Sequence, residues 1–428
     1  MQNGHARMRF GLLTYRTQNV GDDIQSLAAK QFLPQVDEVI DRDLVGDCDA
    51  SGEPIAVVMN GWFSHRPYSW PPPARIQPLL ISMHFSPLVA DGMLEIPPRE
   101  LLLAPPAVDY LRHHGPVGAR DLHTLRALEE RGVDAYFSGC LTLTLPRADR
   151  RQASDCVVLN DVPDEVLTTV RRKTTRPILH TTHDDKLTVD PEERLAKAQA
   201  LVDVYANAHC VITTRLHCAM PCLALGTPVL LLDTSWDQSR FAGLNTLVRH
   251  CTVDEFLRGV LTFDVDRPEP NSAEHEPLRR RLEEQVRAFV ADPPARPGVD
   301  PSALRAQTLV HVGAELRQRL STSEADRRRL SEVVDELTRE RDTLARTVAE
   351  LRAGADAERR AHDDVVTALI SEREQVRREL AHLRSEIARI SNSTEWRAVS
   401  RLKRTLHRHP RLSSPARHLF NRIVGRIS

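Results

Sequence analysis

Arg215 and His217 stand two residues apart in Cys210-Val-Ile-Thr-Thr-Arg215-Leu216-His217, between one apolar run and another that begins at Cys218. A guanidinium grips a carboxylate or a phosphate through two parallel hydrogen bonds. An imidazole moves protons near neutral pH. If the first run is a strand and the second a helix, both side chains fall at the strand's carboxyl end. The helix N-terminus then disfavours imidazolium and helps His217 release a proton. Arg120 closes a similar junction, Val117-Gly118-Ala119-Arg120-Asp121, as a second anion clamp or as a partner of Asp121. A third junction, Thr14 to Asp23, holds Asn19, Gly21 and Asp22. Backbone N–H groups at the start of a helix there accept an anion, and Asp22 caps or orients the turn. His180 and His183 follow another apolar run and offer further proton-transfer groups. With Asp184 they form only a loosely spaced metal set, so no metal and no cofactor is expected.

The elements that must position these residues are legible from periodicity. Strands are expected at Met8–Thr14, Val36–Ile40, Ile55–Asn60, Leu79–His84, Pro116–Ala119 and Ala135–Ser138. A second series runs Cys156–Asn160, Pro177–His180, Cys210–Thr213 and Val229–Leu232, with helices at Asp22–Phe32, Asp121–Arg131, Pro191–Ala208 and His217–Leu225. Alternation of this kind predicts an α/β fold with parallel sheets. The polar stretch Pro146–Asp155 divides it into two Rossmann-like doubly wound domains, residues 1–148 and 149–290, facing a cleft. Ligands belong at the carboxyl ends of their strands.

Beyond these domains the chain changes character. Residues 291–314 read as a linker, broken by Asp292-Pro-Pro-Ala-Arg-Pro-Gly298. From 315 to 390, Leu316, Leu320, Leu330, Val334, Leu337 and Leu344 open a heptad seam that skips once between Val376 and Leu380 and resumes through Leu383, Ile387 and Ile390. This predicts a coiled coil and a homo-oligomer, with Arg327 and Arg341 as weak seam positions. Residues 391–428 form a basic amphipathic tail suited to an anionic membrane surface or to an acidic protein face. Charge follows the same division. Residues 1–314 carry 33 basic and 41 acidic residues (net −8), 315–390 carry 16 and 17, and 391–428 carry nine and one (net +8). The acidic balance of the first part argues against nucleic acid as a partner. No apolar run reaches the roughly 20 residues that span a bilayer. The N-terminus lacks a secretory leader, and the seven cysteines read as reduced thiols of a cytoplasmic protein.

The order Asn19-x-Gly21-Asp22, Val-Gly-Ala-Arg120-Asp121 and Thr-Arg215-Leu216-His217 followed by Ala-Leu-Gly226-Thr-Pro228 resembles the polysaccharide pyruvyl transferase family over about residues 8–250. The resemblance implies a fold like that of GT-B glycosyltransferases. It implies transfer of a pyruvyl group from phosphoenolpyruvate to a pair of sugar hydroxyls, giving a ketal on a glycan or a lipid-linked precursor. Where family members often carry an acidic residue and a proline, this chain has Ser138-Gly139-Cys140-Leu141-Thr142. The chemistry asks for cationic clamps, a proton donor and a base. Arg120 and Arg215 suit the clamps, His217 the acid or base, and His180 or His183 the second proton-transfer role. The rival readings are a glycosyltransferase using a nucleotide sugar and an inactive transferase-like scaffold organised by its coil. On the pyruvyl transferase reading the basic tail would hold the enzyme at the inner face of the membrane, where such acceptors sit.

Overall fold

Apolar runs bounded by turn residues become strands covered on both faces, as parallel sheets require. The computed structural model describes residues 8–49, 51–63, 70–88, 97–147, 154–234, 238–294, 296, 301–354 and 359–391. Among these, strands β1 (Arg9–Thr14), β2 (Glu38–Asp41), β3 (Ile55–Trp62), β4 (Ile76–His84), β5 (Val117–Ala119) and β6 (Ala135–Phe137) form one sheet in the order 2-1-3-4-5-6. Strands β7 (Val157–Asn160), β8 (Ile178–Thr181), β9 (Cys210–Thr213), β10 (Val229–Asp233) and β11 (His250–Thr252) form a second, in the order 11-10-9-7-8. Every pairing is parallel. The helices are α1 (Gly21–Lys30), α2 (Pro98–Leu102), α3 (Pro105–His114), α4 (Leu122–Glu129), α5 (Asp164–Lys173), α6 (Pro191–Asn207), α7 (Leu216–Leu225), α8 (Val253–Arg258), α9 (Glu276–Ala291), α10 (Pro301–Gly354) and α11 (Arg359–Ser391).

The α/β class with parallel sheets stands, and most expected strands lie within a residue or two of their expected bounds. The short edge strand β11 and the helices α2, α3, α5, α8 and α9 were not among the expected elements. Helix α9 carries its apolar residues at helical spacing, and Leu282, Val286 and Phe289 are buried in a core that also contains Leu141 and Leu143.

That core is shared by the two sheets. Leu12, Ile24 and Ala28, from β1 and α1, belong to one continuous cluster with Tyr205, Leu216 and Ala219 from α6 and α7. A second cluster (Val57, Met59, Leu80, Phe85, Leu111) covers the other face of the first sheet, and a third (Val157, Leu159, Ile212, Leu230, Phe256) the other face of the second. All ten residues of α7 are buried, which accounts for a helix with no polar face. Gly226 ends it with φ +78°, the left-handed conformation that suits glycine.

The described residues up to Leu309 form one compact unit, and those from Val310 onward a second. Part of the expected linker is tied to the first unit. Arg296 takes the carbonyl of His113 at 2.6 Å, and Arg305 takes that of Pro71 at 2.8 Å. Residues 355–358 and the expected tail from Asn392 onward lie outside the described residues. Among the described residues, no helix is long and apolar enough to cross a membrane.

Candidate active site

Each sheet reverses its direction of winding once. In the first the reversal falls between β1 and β3, in the second between β7 and β9. Carboxyl ends at such a point leave a crevice that loops can line. In this protein the two crevices meet. The loop after β1 crosses to the loop after β8: Val20 N–H donates to the carbonyl of His183 (2.9 Å), and Asn19 forms an isolated β-bridge with Asp184.

Asp22 sits at this meeting point, in the first turn of α1 and buried. It accepts hydrogen bonds from Thr17 Oγ1 (3.1 Å), Asn19 Nδ2 (3.4 Å) and Gln25 Nε2 (3.5 Å). Arg42 Nη1 lies 3.7 Å away, and its guanidinium stacks 4.6 Å from the Tyr15 ring centroid. From the other half of the chain, His217 places Nδ1 3.5 Å from Asp22 Oδ1. Burial alone would raise the Asp22 pKa. His217 and the Arg42 charge win, and they hold the carboxyl well below the usual carboxylate range. Asp22 is therefore a fixed anion behind the His217 imidazole. His217 Nε2 is buried without a well-formed hydrogen bond, and the ring interacts with the Cys140 thiol. Pro221 lies inside α7 and lacks the N–H that would otherwise reach back to the His217 carbonyl.

Arg215 caps the same helix and stays half-exposed. Its Nε donates to Asp161 Oδ2 at 2.7 Å. Asp161, just past β7, also accepts from Thr182 Oγ1 (2.6 Å) and from the His183 N–H (3.0 Å). Burial pushes its pKa up, but these donors and the Arg215 charge bring it below the ordinary value. Its φ of +50° is unusual for a residue with a Cβ. Asp161 thus joins the loops after β7, β8 and β9.

His183 is inside the site but turned away from any opening. Its Nε2 bonds the Tyr205 hydroxyl at 2.8 Å, and its Nδ1 abuts Gly21. Burial lowers its pKa to about 3. His180 lies on the edge strand β8 and is exposed. The pair expected to act together is therefore split between the interior and the surface.

Arg120 is buried at the end of β5, its Nε 3.9 Å from Asp121 Oδ2 without a hydrogen bond, and its backbone N–H donates to the Met83 carbonyl of β4 (2.8 Å). Beside it lies a pair that motif reading missed. His84, the last residue of β4, donates Nδ1–H to Asp121 at 2.6 Å, and both side chains are fully buried. Cys140 links the two groups of residues electrostatically. Burial raises its thiol, but His217 and Arg120 pull it below the ordinary value. Across the halves, Asp23 and Arg194 form a buried ion pair at 2.6 Å. Even so, burial holds Asp23 at about 6. Among the described residues, no group of three or more His, Cys, Asp or Glu side chains is arranged to hold a metal ion.

Asn19, Gly21, Asp22, His183, Arg215 and His217 thus converge from two halves of the chain. Residues 97–235 match the polysaccharide pyruvyl transferase family. The match spans about a third of the chain and includes Arg120, Cys140, Asp161, His183, Arg215 and His217. It begins after Asn19, Gly21, Asp22 and His84, so those four rest on geometry. No curated protein gives a significant match. Of the residues reasoning from motifs had missed, Asp161 was the most accessible. It follows a buried strand and precedes Pro163, as Asp22 follows its own strand and turn.

Proposed function

We propose that the protein transfers a pyruvyl group from phosphoenolpyruvate to two hydroxyls of a sugar in a polysaccharide or its lipid-linked precursor, forming a ketal. The observation that carries this reading is the meeting of the two crevices, which sets Arg215, His217 and Asp22 around one point.

The roles follow from the groups' chemistry. Arg215 and Arg120 hold the donor's carboxylate and phosphate; both are permanent cations, and Asp161 fixes the first of them in direction. His217, with ionised Asp22 behind Nδ1, presents a proton from Nε2 to the donor's methylene carbon. Protonation leaves an oxocarbenium-like carbon that a sugar hydroxyl attacks. The second hydroxyl displaces phosphate and closes the ring. Of the two hydroxyl protons consumed, one balances that given to the methyl carbon and the other leaves with phosphate. The fold proposed for this work is of the GT-B kind. The basic segment 391–428 keeps the enzyme at the inner face of the membrane, where lipid-linked acceptors lie.

The test is release of inorganic phosphate from phosphoenolpyruvate in the presence of a panel of p-nitrophenyl hexosides and bacterial glycans. Acceptor-dependent release, with a mass increase of the acceptor, supports the reading. Silence across the panel, together with hydrolysis of a nucleotide sugar, would overturn it in favour of glycosyl transfer.

A further inference from the structure

The reaction proposed above also needs a base for the incoming hydroxyl, and His217 is committed to the donor. His183 is held between Tyr205 and Gly21, and His180 is exposed on the sheet edge. His84 has neither constraint. It ends β4, beside Arg120 at the end of β5, since β4 and β5 pair at Met83 and Ala119. The strand is bent to aim it. Ser82, a residue with a Cβ, has φ +52°, its N–H is taken by Ser138 Oγ (3.1 Å), and the pairing of β3 with β4 shifts register between Met59 and Gly61. Bulges of this kind re-aim side chains near active sites.

Asp121 fixes the ring. One of its oxygens takes the Thr124 N–H at the start of α4 (2.8 Å), the other takes His84 Nδ1. Despite burial, the charges around Asp121 keep it below its ordinary value. An ionised carboxylate only accepts, so the neutral imidazole carries its proton on Nδ1 and a lone pair on Nε2. That Nε2 is buried and has no partner. Arg120 Nε makes no hydrogen bond and faces Asp121 Oδ2 at 3.9 Å, on the same carboxylate that holds the ring. A buried acceptor left unpaired is costly for packing alone, and it matches an incoming hydroxyl.

Resting on the pyruvyl-transfer reading, we infer that His84 is the base that accepts the acceptor's hydroxyl proton on Nε2, with Asp121 as its positioning residue and Arg120 holding the adjoining anion. In this step the acceptor O–H bond breaks, its oxygen bonds the central carbon of the donor, and the proton rests on Nε2 until phosphate carries it away.

His84→Asn is the decisive variant in the full-length protein, because its amide still donates to Asp121 where Nδ1 did but nothing stands at Nε2. The expected result is a fall in kcat of roughly 10²–10⁴-fold, with KM for phosphoenolpyruvate changed by less than about threefold and thermal midpoint retained. Asp121→Asn, which still caps α4 but pushes the proton to Nε2, should lower kcat with the same pattern should His84→Asn fail to fold. Wild-type kcat in His84→Asn, or in a folded Asp121→Asn, overturns the inference while leaving pyruvyl transfer intact. A silent wild type overturns pyruvyl transfer itself.

A second inference rests on the other unit. About the midpoint in sequence between α10 and α11, Leu330, Leu337 and Leu344 stand as far before it as Leu383, Val376 and Leu369 stand after it. The same mirror sets the weak seam positions Arg341 and Arg327 opposite Glu372 and Glu386. A parallel dimer would instead set arginine against arginine. In the single chain, Val334, Val376 and Leu380 are already buried. We infer that α10 and α11 close on each other as an antiparallel hairpin, so that the partner of the seam is the chain's own second helix. Leu344→Cys with Leu369→Cys, oxidised in the full-length protein with wild type as control, should cross-link within one chain. Covalent dimers, from the pair or from Leu344→Cys alone, would overturn the hairpin.

Discussion

Gly21 is where the two halves of the site approach most closely, and a methyl group there measures that closeness. A Cβ at this position would stand 2.2 Å from His183 Nδ1, 2.8 Å from its Cε1 and 2.9 Å from Asn19 Oδ1. The imidazole has little room to yield, being bonded to Tyr205 through Nε2 and tied through its backbone to Asp161 and Val20. Gly21 is the first residue of α1 with helical backbone, so alanine adds no dihedral strain. The whole cost is overlap. Overpacking of this kind costs about 1–3 kcal/mol, and displacing the ring from Tyr205 leaves buried groups unpaired for about 1–3 kcal/mol more. Gly21→Ala should therefore destabilise the protein by roughly 2–6 kcal/mol. In a His183→Ala background only Asn19 Oδ1, the end of a side chain, still has to shift, and the same change should cost no more than about 1 kcal/mol. The assay is a double-mutant cycle by urea unfolding, followed by tryptophan fluorescence. Equal costs of Gly21→Ala in the two backgrounds would refute the argument that these halves meet here.

Other expectations follow from the same geometry. His217→Ala should lower turnover by roughly 10²–10⁴-fold with the unfolding midpoint little changed, in the phosphate-release assay. Arg194→Met leaves Asp23 buried without its partner, and should cost about 3–5 kcal/mol in urea unfolding. Acid should destabilise the fold below pH 6.5. His84 and His183 titrate at about 4 and about 3 when folded, against 6.5, so between those values the unfolded chain binds more protons. Their contribution is present above pH 6.5 and lost as pH falls, about 3 kcal/mol for His84 alone. Asp23, raised to about 6, acts in the opposite sense between pH 6 and 4. Unfolding midpoints from pH 7 to 4 should fall for the wild type and fall less for His84→Asn.

Much of the site was legible because its parts are local. Arg215-Leu-His217 sits where an apolar strand meets an apolar helix, and both signals lie within a few residues. Asn19-x-Gly21-Asp22 was readable as a helix start for the same reason. Gly21 is required, however, by His183, a residue from the other sheet. His84 looked like the end of one more apolar strand. Its importance comes from Asp121, 37 residues away, and from a bend at Ser82 that no residue type announces. Grouping His180 with His183 failed on alternation, since a loop past β8 turns one inward and leaves the other on an edge strand.

The amino-acid sequence alone determined the α/β class, the order of most elements, the division of charge along the chain and the residue types that carry the chemistry. Those features depend on short-range periodicity and on the preferences of single residues. Tertiary structure decided which of those residues meet. Asp23 and Arg194 are 171 residues apart, and Asp161 and Arg215 are 54 apart. Asp22 reaches His217 only because α1 shares a core with α6 and α7. Such pairings follow from how two sheets stack, and stacking is set by the summed burial of many side chains, of which no single stretch of sequence holds the record.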